Sequence, residues 1–434
     1  MKMTDIYEIA EYTLKALKNC GADAAQCIVG RSKKDELNVD GGKFSLMRST
    51  FNTSISMKAI KDGKKGVTSI NQATKEAIDE AATQCIAAAE SSVPDEAEQI
   101  APFTAKAEYK TGVFEPDLNK LFDRIEEFMS QTKKEYPKVI LEQLISDYEH
   151  SEKLYMNTNG TSLRYEHGEY SFNTMFSAHE GEKASSFNGY FCALDNLDKP
   201  FMDAGMQRQL LEESEKQLNT VSPSEKFVGK VIYSPDCFNE LLQTALENFA
   251  SSGVLIDGTS PWKDALNTKV ASEKLNLRSV PLDGRTVVAQ RFTSDGYPAE
   301  NMDIIVDGVL KTFILSQYGA NKTGFPRALN GGNNLEVLPG DKTLEEMIAG
   351  IDKGLIVNRF SGGQPSSNGD FSGVAKNSFL IEKGKVSSAV SETMISGNII
   401  DMLNNIVAIS KEQTTDGLSF MPWAEFDGVT VSGK

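Results

Sequence analysis

The run Ser234-Pro235-Asp236-Cys237-Phe238-Asn239-Glu240-Leu241-Leu242-Gln243-Thr244-Ala245-Leu246-Glu247-Asn248-Phe249 decides how this 434-residue chain is read. Ser234 is a good helix N-cap, and Pro235 suits the first helical position, where a missing N–H costs nothing. Apolar residues then recur at Phe238, Leu241, Leu242, Ala245, Leu246 and Phe249, the spacing of a single helix face. Gln243 and Asn248 flank that stripe. Their plainest reading is as polar neighbours of a buried helix face.

Downstream of this helix the chain is rich in strand patterns and glycine. Asp307-Gly308 reads as a two-residue hairpin between 303–306 and 309–314, and Lys383-Gly384 as another between 379–382 and 385–390. Thr343-Leu344-Glu345-Glu346 is a capping box opening a short helix, with Gly354 expected to end it. Two glycine-rich runs, Asn330-Gly331-Gly332-Asn333-Asn334 and Ser361-Gly362-Gly363-Gln364, have neither a GxxxxGK[ST] nor a GxGxxG pattern. Nucleotide binding therefore has no local support. The runs read either as flexible loops or as places where a second backbone approaches closely.

Upstream, an amphipathic helix is expected from about Thr4 to Cys20, with Gly21 as its stop. Strands follow, with turns at Asp40-Gly41-Gly42 and Asp62-Gly63, and then a helix from near Thr74. The acidic, aperiodic stretch 91–103 reads as a linker. A similar order then recurs: a helix from about Asp117 burying Leu118, Leu121, Phe122, Ile125, Phe128 and Met129, and strands with turns at Asn159-Gly160, His167-Gly168 and Glu180-Gly181. A last helix spans roughly 202–218, and residues 220–227 form a second linker. Turn glycines 41 and 160, and 63 and 181, are separated by almost the same interval, as an internal duplication would leave. The expected organisation is α+β: an internally duplicated helix and antiparallel-strand half, residues 1–103 and 104–222, and a larger strand-rich domain, 223–434.

Lys and Arg number 45 against 61 Asp and Glu, a net charge of −16, which repels phosphate backbones and disfavours direct nucleic-acid binding. Cys20, Cys27, Cys85, Cys192 and Cys237 have no CxxC spacing, which points to a reducing compartment and away from a structural metal cluster. No apolar run approaches a membrane span, and the opening Met1-Lys2-Met3-Thr4-Asp5-Ile6-Tyr7 starts a helix rather than a signal peptide. A cytoplasmic protein is expected. The three histidines, His150, His167 and His179, fall on predicted strands or turns and read as surface residues, His167 in particular as a solvated turn residue. The GxSxG elbow is absent, since Gly369-Asp370-Phe371-Ser372-Gly373 places its serine one position late.

The helix 234–249 resembles the peptidase helix of the TldD/PmbA family, also called the modulator of DNA gyrase family. The runs Thr293-Ser294-Asp295-Gly296-Tyr297-Pro298, 303–310, Gly369-Asp370-Phe371-Ser372-Gly373, 381–386 and Ser391-Glu392-Thr393-Met394-Ile395-Ser396-Gly397-Asn398 resemble its C-terminal domain in the same order. The resemblance covers roughly the last half of the chain by motif and the first half by architecture. In the TldD branch the helix carries His-Glu-x-x-x-His; here Gln243, Thr244 and Asn248 stand at those positions, which places the chain in the PmbA (TldE) branch. The family's site also takes a later cysteine, and this chain has none after Cys237. Neutral amides are poor zinc donors, and a threonine hydroxyl does not take a proton from water near neutral pH.

The resemblance implies a fold that dimerises around an enclosed cavity, with no catalytic residue, metal or cofactor in this chain and zinc only in a TldD-like partner. The implied role is a non-catalytic subunit acting on unfolded peptides, as a heterodimer with that partner or as a homodimer, with no membrane or nucleic-acid partner. Asn330, Gly331, Gly332, Asn333, Gly369, Asp370, Phe371 and Ser372 are its candidate peptide-cleft residues. Two alternatives remain, a regulatory protein that binds gyrase and a peptidase with an unrecognised centre.

Overall fold

Asp5 and Thr74 accept from the backbone N–H groups of Glu8 and Ala77, and so start α1 (Ile6–Asn19) and α2 (Lys75–Ser91). Between the helices lie β1 (Ala24–Asp40), β2 (Lys43–Lys61) and β3 (Lys64–Ile70). Then come β4 (Lys106–Gly112), α3 (Leu118–Glu135) capped by Asp117, β5 (Val139–Asn157), β6 (Ser162–Glu180), β7 (Lys183–Ala184), β8 (Asn188–Leu194) and α4 (Gln207–Lys216). The computed structural model describes residues 3–391 and 393–433; Met1, Lys2, Glu392 and Lys434 lie outside the described residues.

These strands form one sheet, ordered β3-β2-β1-β5-β6-β4, with β8 also on β6. Its centre is the antiparallel pair β1–β5, in register from Gln26 opposite Asn157 to Asp40 opposite Gln143. Gly41 and Gly160 occupy the first hairpin turn on either side of this pair, Gly63 and Gly181 the second, all at positive φ. Strand alternation sends Cys27 and Val29 beneath α1 and α2, while Ile28 and Gly30 face the other way.

Several local expectations change in three dimensions. His167-Gly168 is no turn but the middle of β6, where Gly168 lies opposite Gly112 of the parallel strand β4. A Cβ at Gly168 would sit 1.8 Å from the Val113 carbonyl oxygen, so glycine permits close strand approach rather than a reversal. His167 is consequently buried, at 3% exposure. The helix expected over 202–218 splits into a 3₁₀ turn, Phe201–Asp203, and α4, because the chain reverses at Gly205, where a side chain would strike Tyr190. Phe122 on α3 is exposed and stacks on Phe44, with ring centres 4.5 Å apart. The capped helix at Thr343 ends at Gly350 rather than Gly354, and 220–227 contains strand as well as linker.

Beyond β9 (Thr220–Val221), β10 (Phe227–Tyr233) lies between the final strand, Phe420–Ser432, antiparallel, and Lys353–Val357, parallel. It runs directly into α5 (Pro235–Ala250), whose N-cap Ser234 accepts from the Cys237 N–H. Phe238, Leu242 and Phe249 of α5 are at most 1% exposed, and Phe238 meets Phe426 edge-on at 5.8 Å. Full burial of each such side chain contributes about 1.5–3 kcal/mol. The hairpins at Asp307-Gly308 and Lys383-Gly384 have positive φ at both central residues, as two-residue turns of this hand require.

The two units share a core in which Leu37, Phe172 and Phe201 cluster with Ile232, Phe379 and Trp423, and they also meet along the stretch 291–298. Tyr155 of β5 is fully buried there with Leu163 and Phe292. Its hydroxyl lies 3.2 Å from the Gln26 side-chain oxygen, and the Thr104 hydroxyl donates to the Gly296 carbonyl at 2.7 Å. Gly296 has φ +89°, and a Cβ on it would lie 2.3 Å from the Tyr155 ring. Gly296→Ala is therefore expected to destabilise the chain by about 1–3 kcal/mol through overpacking. Urea denaturation would show a lower midpoint, and limited proteolysis faster cutting at residues 222–226.

Candidate functional site

Neighbouring residues on a helix point about 100° apart, so Gln243 and Thr244 of α5 look into different spaces. Gln243 lines a cavity of about 640 Å³ between the N-terminal sheet and the C-terminal unit. The sheet contributes Ile28, Gly30, Lys153 and Tyr165; the C-terminal unit contributes Gln290, Arg291, Phe292, Asn333, Asn334 and Ser419. Thr244 lines a second cavity of about 260 Å³, together with Glu240, the run Ser361-Gly362-Gly363-Gln364, and Phe371. Asn248 is half-buried and lines neither cavity.

A chain of polar contacts runs from the larger cavity along α5. The Gln243 amide donates to Asn239 at 3.4 Å, Asn239 donates to the Ser419 hydroxyl at 3.4 Å, and Ser419 donates to Asp416 at 3.0 Å. These donors are amides and a hydroxyl. Among the described residues no group of three or more His, Cys, Asp or Glu side chains is placed to hold a metal ion. The residues present therefore do not fit a catalytic zinc, which typically takes three such ligands.

The two candidate runs part company. Asn333 lines the larger cavity, while Asn330 is buried and builds the loop: its oxygen accepts from the Ser279 hydroxyl at 2.9 Å and the Gly332 N–H at 2.7 Å. Gly331 donates to Gln290 at 2.7 Å, and Gly332 sits against Ile314 at positive φ. Of the second run Phe371 lines the smaller cavity. Asp370 accepts from Asn398 and Asn368, both at 2.9 Å, and these bonds hold its carboxyl below the usual range. Ser372 pairs with Ser396 on an exposed strand face, and Gly369 turns the chain before them with φ +94°. Asn334 belongs to the glycine-rich run noted in the sequence, whereas Lys153, Gln290, Arg291, Asp416 and Ser419 were not singled out by sequence. They come from separate segments and carry no local motif.

Acidic groups crowd the N-terminal end of α5. Asp236 keeps solvent access, yet surrounding protein atoms desolvate its carboxyl and raise it to about 6, and the nearby Asp416 and Glu240 push the same way. Burial likewise raises Cys237 to about 12, leaving it an inert thiol. Each histidine has its own neighbours. His179 Nε2 lies 2.9 Å from the Ser177 hydroxyl, but the same nitrogen is the one 3.8 Å from Glu142, so no carboxylate orients the ring from its other side. His150 pairs with Glu166 at 3.0 Å. His167 Nδ1 lies 2.8 Å from the Thr111 hydroxyl, and its Nε2 is 3.1 Å from Glu169 without the alignment of a hydrogen bond.

The fold defines a class: two α+β units with a cavity between them, onto which helix α5 presents Gln243. Residues 226–433 match the PmbA/TldA metallopeptidase C-terminal domain and residues 25–89 match PmbA/TldA metallopeptidase domain 1. The chain belongs to the TldD/PmbA family. A metalloprotease PmbA homolog of Buchnera aphidicola is 25% identical over 60% of this chain and 62% of its own length. A zinc metalloprotease TldD homolog of Saccharolobus solfataricus is 28% identical over 47% of this chain and 49% of its own. The chain thus spans about half the length of the curated relatives it matches. The crystal structure of TldE from Thermococcus kodakarensis superposes with a TM-score of 0.85 at 22% identity, covering 98% of this chain and 100% of that one, a likeness of fold.

Asp236 gives a test of the acidic end of α5. Its folded-state value lies above the unfolded one, so its contribution to stability is present in acid and lost as pH rises through 4 to 6. Asp236→Asn should melt at a higher temperature than the parent at pH 8, with the advantage gone by pH 4. Thermal scans across that range check it.

Proposed function

We propose that this chain is a PmbA/TldE-like subunit without a metal centre of its own, which pairs with a TldD-like chain and helps enclose an unfolded peptide. The observation that carries this reading is the placement of Gln243. It stands at the family's first metal-ligand position, faces the cavity between the units, and offers only an amide. Gln243, Gln290, Asn333 and Asn334 line the same space and suit the donors and acceptors of a peptide main chain. In this reading the chain supplies surface and the partner supplies zinc and water activation.

Association has a surface to use. Met47 and Phe51 on β2 are 73% and 74% exposed, an apolar display that favours a protein neighbour, whether a TldD-like chain or a second copy. No helix among the described residues is long and apolar enough to cross a membrane. All five cysteines are unpaired thiols, which fits a reducing cytoplasm.

The purified chain should contain far less than one zinc per molecule and should leave an unstructured peptide uncut. Adding the TldD-like partner should bring cleavage that a zinc chelator abolishes. Stoichiometric zinc with cleavage by this chain alone would sink the reading, and co-purification of gyrase with no TldD-like chain would favour a regulatory role.

A further inference from the structure

Two cations share the wall of the larger cavity, and neither has a partner of opposite charge among the described residues. Lys153 lies in β5 directly across from Gly30 on β1 and Tyr165 on β6, so all three face the C-terminal unit. Its side chain reaches the water of the cavity, yet protein atoms crowd it, and this desolvation lowers its pKa. Its Nζ lies 5.7 Å from the centre of the Phe292 ring. Arg291, the residue before Phe292, bonds the Tyr165 side chain, and its buried Nε has no acceptor.

The other charges on this wall are already engaged. Asp416 accepts from the N–H groups of Leu418 and Ser419, at 2.9 and 2.7 Å, as well as from the Ser419 hydroxyl. Glu152, which also lines the cavity, pairs with Arg164 at 2.6 Å. Arg31, its cross-strand neighbour and also on the cavity's edge, donates to the Thr4 carbonyl at 2.5 Å. What remains in the cavity is two uncompensated positive groups beside neutral amides. Desolvated cations are costly without a counter-charge, and an anion bridging them would form charge-assisted hydrogen bonds with both.

The wall suits a carboxylate better than a phosphate. Phosphate cradles present clustered backbone N–H groups, but the N–H groups of Gly331 and Gly332 are spent on Gln290 and Asn330. A guanidinium and an ammonium beside main-chain-like amides match a peptide that carries one carboxylate. We propose that Lys153 and Arg291 form a carboxylate-binding subsite that anchors a bound peptide in this cavity, an inference that rests on the peptide-chamber reading above. The carboxylate is either the peptide's C-terminus or an acidic side chain.

The test uses the full chain and one unstructured, fluorescently labelled peptide in three forms: free C-terminal acid, C-terminal amide, and amide with a single internal Glu. Fluorescence anisotropy should show at least one carboxylate form binding about tenfold tighter than the plain amide, a difference of about 1.4 kcal/mol. The form with the advantage identifies the source. Lys153→Met with Arg291→Gln should erase the advantage, leave amide binding unchanged, and leave the melting temperature equal or higher, because desolvated charges have been removed. Equal binding of all three forms to the parent chain would overturn the subsite while leaving the chamber reading intact. Failure of every form to bind would also overturn it, and partner-dependent cleavage then reports separately on the chamber.

Discussion

One contact between the units sets the geometry beside the cavity, the Tyr155 ring seated against Gly296. The phenol is fully buried between the units, and burial raises its pKa far above the ordinary value, so it stays neutral. Its apolar area contributes about 1.5–3 kcal/mol, and its hydroxyl bond about 1 kcal/mol more. Position matters more than magnitude. Tyr155 is two residues from Lys153 on the same face of β5, and Gly296 is a few residues past Arg291 and Phe292. With the core that both units share, where Leu37, Phe172 and Phe201 cluster with Ile232, Phe379 and Trp423, this contact holds the sheet opposite the C-terminal unit and shapes the cavity between them.

Helix α5 shows what such a helix retains when the donor positions of the resembling motif carry amides and a hydroxyl. Its apolar stripe still packs between the C-terminal sheet and its neighbours, because that side is dictated by core volume rather than chemistry. The residues facing the cavities are under a different constraint. Neutral amides can line a half-wet space without counter-charge, whereas ligating carboxylates or imidazoles would each need a cation or a further bond. Asp236 and Glu240 show the cost of the alternative: crowding by protein atoms raises both carboxyls, with like charge from Asp416 and Glu240 adding at Asp236 and Arg359 opposing at Glu240.

Much of the local structure was legible in the chain because its signals are local. Ser234, Thr74 and Asp117 announce their helices by side-chain capping, and Asp307-Gly308 and Lys383-Gly384 announce hairpins by tolerating positive φ. His167-Gly168 misled for a non-local reason, since that glycine answers to the backbone of β4, far away in sequence. The position of Gln243 in a cavity follows from its place beside the stripe, but which walls oppose it does not. Lys153 and Arg291 become neighbours only through the β5–β6 register and the Tyr155 contact, and neither leaves a periodic trace.

Net charge illustrates the same distinction between whole-chain and local physics. A total of −16 describes the outer surface, and beyond a Debye length of about 8–10 Å its field is largely screened by salt. Inside a crowded cavity the effective dielectric falls, and two nearby cations without partners outweigh a more distant acidic exterior. The acidic field still argues against a polyanion, whose successive phosphates would have to traverse that exterior. A single carboxylate on an otherwise neutral chain meets little of it before reaching Lys153 and Arg291. An acidic protein and an anion-selective cavity are thus compatible, provided that the anion is small, lone and delivered on a flexible strand.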